Sequence, residues 1–159
     1  MNVKDLIRSN LAMSDNLVEA YLGDLSTDDL TLCAVDGMNP IAWQLGHLIV
    51  GEKGMVEQAK PGASPELPAG FADLFDQKVG PIAGAKYPTK DEFLAIWKTQ
   101  REATLAALAA TPDEKLSDPT GVSYAPTVAE IFNMVGSHTT MHVGQWVAVR
   151  RKLGKPVAM

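Results

Sequence analysis

His47, His138 and His142 are the three histidines of the 159-residue chain, and their spacing is that of ligands to one divalent metal ion. On a helix, residues four apart share a face, so the imidazoles of His138 and His142 would stack about 6 Å apart and can reach one ion. Ile131, Met134, Val135 and Val149 fall on the same stripe, which turns the pair inward. Imidazoles turned into a core must find polar partners. His47 lies between Trp43 and Val50 on a second inward stripe. If the two helices run antiparallel, at 1.5 Å per residue His47 lies about 11 Å from the start of its helix and His142 about 16 Å from the end of its own, a match to within roughly one turn. The ordinary alternative is three core histidines satisfied by hydroxyls or carbonyls. Three of three at matched depth favours the ion.

Three neutral nitrogen ligands leave a dication its full charge and at least one open position, the arrangement that activates a bound water. Zinc or nickel suits imidazole best, and iron and manganese are compatible. Thr139 stands where a zinc peptidase would carry its glutamate, so His-Thr-Thr-Met-His is not that motif. No carboxylate completes an obvious facial triad, and Asp73, Asp76 or another loop residue is left to approach it in space. Gln145, three residues after His142, is expected on the metal stripe, either orienting a ligand or water or serving as an ordinary polar residue. Glu52, five residues after His47, is expected to turn away to the helix surface. Gly51 and Gly54 mark room for a small-molecule substrate or, more ordinarily, close helix packing. Tyr124 and Ser123 suit a site mouth or a turn, and Trp43, Trp97 and Trp146 suit packing. No residue declares itself as a general acid or base.

Four segments carry helical periodicity and none alternates at period two for long enough to make a strand, so the expected fold is all-α. In the first, Ile7, Leu11, Val18, Leu22 and Leu25 form one stripe with Lys4, Asp15 and Glu19 away from it. The second is expected to open with Asn39 as N-cap and Pro40 at the first helical position, and to stop at Pro61-Gly62. Capping boxes at Thr89 to Glu92 and Thr127 to Glu130 open the third and fourth, which end at Thr111-Pro112 and before Gly154. The long connection 61–88 holds half of the ten prolines. It suits a four-helix bundle of up-down-down-up topology, whose parallel second and third helices need a crossover. A short helix within Phe71 to Gln77 is expected there, either capping the core or acting as a lid over a pocket.

The length fits a single domain over 1–159, with 46% hydrophobic residues to fill its core. A net charge of −5 excludes a nucleic-acid surface, which needs clustered cations to neutralise phosphates. The densest basic run, Arg150-Arg151-Lys152, is expected to complement a helix dipole. Cys33 alone forms no internal disulfide, fits a reducing compartment, and is expected as a small buried hydrophobe. No apolar leader and no membrane span is visible, so a cytoplasmic location is expected.

The stretch NPIAWQLGHLIVGE, a long crossover, and then SHTTMHVGQWVAVRRKLGKP resemble the DinB superfamily over nearly the whole chain. The resemblance implies an up-down-down-up bundle in which His47, His138 and His142 bind a metal, and the Gly144-Gln145 dipeptide also fits. Val143 departs from an arginine common at that position. The resemblance further implies a metal-dependent enzyme, first a thiol S-transferase using a low-molecular-weight thiol. An isomerase of the same superfamily fits less well, because such relatives carry glutamate where this chain has His138. A metal-dependent hydrolase and a non-catalytic metal- or ligand-binding bundle are the alternatives, and a homodimer is expected by the same resemblance.

Overall fold

A computed structural model describes residues 1–157. It contains four long helices: α1 (Val3–Leu22), α2 (Ile41–Ala59), α4 (Lys90–Ala110) and α5 (Val128–Lys152), with a one-turn helix α3 (Phe71–Leu74) between α2 and α4. Short 3₁₀ turns follow α1 and α4, and no strand forms among the described residues.

Local chemistry sets most helix ends. Asn2 and Asp5 close a capping box on α1, and the expected boxes at Thr89–Glu92 and Thr127–Glu130 open α4 and α5. The start of α2 departs from expectation. Pro40 is the N-cap and Ile41 the first helical residue, because the Asn39 carbonyl is engaged by the Gln44 side chain, whose Nε2 donates to it at 2.7 Å. Lys90 Nζ reaches back to the carbonyls of Leu22, Gly23 and Leu25, at and just beyond the end of α1.

α5 packs against α1 and α2, and α2 also packs against α4. Asn10 near the start of α1 donates to the Asn133 carbonyl near the start of α5 at 2.9 Å. At the other ends, Arg150 is buried and forks onto Asp24 at 2.6 and 3.2 Å while donating to the Tyr21 carbonyl at 2.7 Å. The basic run therefore does more than complement a dipole: its first residue ties two helix ends together.

The apolar interior falls into two parts. One gathers around Trp146, Phe75, Phe93 and Ile49, the other around Leu11, Val56, Leu108 and Phe132. A polar layer separates them, containing buried Ser14, Glu52, Arg101 and Thr104. Glu52 is thus not on the helix surface as expected. It is 2% exposed, with Oε1 accepting from Thr104 at 2.6 Å and Oε2 lying 3.2 Å from Arg101 Nη2. Burial pushes the Glu52 carboxyl above the ordinary range, and the Arg101 guanidinium opposes that shift. Asp15, read as a surface residue of α1, also turns inward and accepts from Trp97 Nε1 at 3.1 Å. Cys33, expected to be buried, is exposed.

The 61–88 connection carries the expected helix, shortened to Phe71–Leu74. Phe71 and Phe75 bury themselves against Phe93, and the Phe75 ring lies so close over Gly46 that a β-carbon there would overlap it. Gly46 is therefore required by contact, and the crossover is pinned to α2 one residue before His47.

Candidate metal centre

α2 and α5 bring His47, His138 and His142 together because both helices turn these positions to their shared seam. The three rings offer ligand nitrogens that all lie within 4.8 Å of one another, and their ring centroids are 4.8 to 5.3 Å apart. The depth match expected from sequence is borne out in this clustering. His142 is buried, while His47 and His138 are half-buried and face the opening. Burial lowers the pKa of all three; His138, with His47 beside it, and His142, with both other rings nearby, fall to about 4. Neutral imidazole is the form that ligates a metal.

The tautomer of His142 follows from its surroundings. Gln44 Nε2 donates to the Asn39 carbonyl, and Trp146 Nε1, which can only donate, points at Gln44 Oε1 at 3.0 Å. Gln44 Oε1 is therefore the acceptor, and it lies 2.9 Å from His142 Nδ1. Neutral His142 must carry its proton on Nδ1, which leaves the Nε2 lone pair aimed at His138. A ligating histidine held through its other ring nitrogen is the usual way a metal site fixes ring orientation.

The two Nε2 atoms of His138 and His142 are 3.2 Å apart. Two nitrogens on a tetrahedral zinc at 2.0–2.1 Å stand about 3.3 Å apart, so this pair has the right spread for a common ion. His47 completes the set and stacks on Trp43 at 5.1 Å with the rings 5° from parallel, which holds its plane. The residues fit a divalent ion.

Gln145, expected beside the ion, is exposed, and Asp73 and Asp76 are exposed and lie outside the histidine cluster. Helical phase explains the first correction. The residue after Gln145 faces the seam, and Trp146 together with Gln44 does the orienting assigned to Gln145. Gln44 was missed because its position, three residues before His47, carries meaning only once α5 is seen beside it.

A cavity of about 380 Å³ opens next to His47 and His138. Gly51 and Gly54 form its floor, and nothing lies within 4 Å of where a Gly54 side chain would start. Gly54 thus leaves open space, whereas at Gly51 the His138 ring packs close, 3.5 Å from where a side chain would start. Tyr124 stands at the mouth, whereas Ser123 does not line the cavity. Trp43, Trp97 and Trp146 are buried as expected.

Fold and centre together define a helical protein with a three-histidine pocket that can hold a divalent metal. The sequence profile of the DinB superfamily matches residues 11–146, and the chain belongs to that superfamily. No curated protein matches the chain.

Proposed function

We propose that this protein is a metal-dependent enzyme whose His47, His138 and His142 ligate one divalent ion, zinc or nickel before iron or manganese, and that it delivers a low-molecular-weight thiol, as its thiolate, to a small electrophile, forming a carbon–sulfur bond as the thiol gives up its proton. The observation that carries the reading is the convergence of three neutral imidazoles, one with its lone pair fixed by Gln44, beside an open cavity. A divalent ion supplies charge that lowers the pKa of a thiol or water brought to it.

The thiol is placed first on the resemblance to the superfamily. A positioned general base assists water attack, and among the described residues no aspartate or glutamate lines the cavity. A thiolate needs no base once formed and is intrinsically nucleophilic. The lack of a carboxylate also supports the second reading, a binding module without catalysis. A hydrolase is the alternative, because an ion held by three neutral imidazoles would also activate a bound water.

The rest of the reading is architectural. Contacts of Asn10 with Asn133, Arg150 with Asp24, Gln44 with His142 and Trp97 with Asp15 support an up-down-down-up four-helix bundle forming one domain. No helix among the described residues is long and apolar enough to cross a membrane. A free Cys33 fits a cytoplasmic protein, and homodimer formation is part of the proposal.

The test is metal analysis of protein purified without a metal-affinity tag, followed by assays with thiol plus electrophile and with hydrolase substrates. Stoichiometric metal that is lost in His142→Ala, with turnover only when thiol is supplied, is the expected result. Full metal occupancy in His142→Ala would refute the ligand set, and metal without turnover would select the binding module.

A further inference from the structure

We infer that the cavity beside the three histidines takes a compact ligand that presents one metal-binding atom and is otherwise uncharged. The inference rests on the metal reading above and specifies what that site selects.

Among the described residues, no charged side chain lines the cavity. Around Gly51 and Gly54, α2 carries three charged residues, and each is engaged elsewhere. Glu52 is sealed against Arg101 and Thr104. Lys53 donates to the Pro65 carbonyl at 3.0 Å and lies 3.8 Å from Glu66. Glu57 accepts from the backbone of Gly62 and Ser64, each at 2.8 Å. Asp73 and Asp76 of the crossover do not line the cavity either. Asp76 accepts from the Lys78 backbone at 2.8 Å, and Asp73 lines a separate cavity that also touches Gly54.

What remains in the cavity is neutral. Met55 and Met134 offer polarisable apolar walls that adapt to a ligand's shape. Gln58, Gln77 and Tyr124 bring amide and phenol groups that donate and accept without charge. At about 380 Å³ the space is near the lower end of small-molecule sites, which limits the ligand's size. A dication bound by three neutral nitrogens accepts one anionic donor atom. A charge at the far end of the ligand would find no counter-ion among these side chains.

The test uses the full chain loaded with cobalt and three thiols that differ in the group at the far end: 2-mercaptoethanol, 2-mercaptoethanesulfonate and cysteamine. Binding is followed by the thiolate-to-cobalt charge-transfer band, with each constant corrected for the fraction of thiolate. The neutral thiol is expected to bind about tenfold or more tighter than either charged one, and Gln58→Lys, at an exposed position, to raise the affinity for the sulfonate several-fold. Equal or tighter binding of a charged thiol to the unaltered protein overturns the inference while leaving the metal reading intact. Absence of cobalt bands from the loaded protein overturns both.

Discussion

Gln44 Oε1 lies 2.9 Å from His142 Nδ1, a side-chain contact between residues 98 positions apart in the chain. Because Gln44 is itself fixed by Asn39 and Trp146, it determines which nitrogen of His142 is free. Gln44→Leu keeps the volume but removes the acceptor. Loss of such an outer partner typically weakens metal affinity about 10–100-fold, and we predict a loss of that size. Competition with a chelator of known affinity measures it, and Trp146 fluorescence should shift in the same variant. Unchanged affinity would show that His142 orients itself.

The buried imidazoles make the metal-free protein sensitive to acid. Their folded pKa values lie below the ordinary histidine value, at about 4 for His138 and His142. The unfolded chain therefore binds more protons between about 6.5 and about 4, and stability falls as pH drops through that window. Above it the contribution of these groups is complete. Urea melts of the metal-free protein between pH 7.5 and 4 should show the decline, and His138→Gln should flatten it. A melt midpoint that stays level across the window would contradict the assignment.

Arg101 holds two acidic residues in the polar layer, with Nη2 3.2 Å from Glu52 and Nε 3.5 Å from Asp15. Removing one member of a buried pair leaves an uncompensated charge, so Arg101→Ala should cost about 3–5 kcal/mol. Glu52→Gln combined with Arg101→Met removes both charges of the more deeply buried pair, leaving only the partly exposed Asp15, and should recover a good part of that loss. Chemical denaturation of the single and double variants checks it. A double variant no more stable than Arg101→Ala would show that packing, and not charge, dominates the layer.

At Gly46 a methyl group would meet the Phe75 ring. Gly46→Ala gains helix propensity but forces the crossover outward, and overpacking of this kind typically costs about 1–3 kcal/mol. Amide exchange should quicken in the crossover around Phe75 while the middle of α4 stays protected. Gly46→Ala paired with Phe75→Leu should relieve the strain. If Gly46→Ala alone is stabilising, the crossover yields freely, and the lid reading of that segment gains support.

Local chemistry carried far in this protein. Capping boxes at Thr89 and Thr127, the Pro61-Gly62 stop and the helical phase of His138 and His142 depend on residues within a few positions of one another. Such features are therefore legible without knowing what packs where. The histidine trio was legible too, because two stripes of matched depth can meet in only a few ways. Helix packing decided the rest. Whether Glu52 reached solvent or Arg101, whether Gln44 or Gln145 oriented His142, and whether Gly54 packed or left space all depended on the neighbouring helix. A side chain's partner across a helix seam is set by the rotation and depth at which two helices dock, and that is a property of the assembled core.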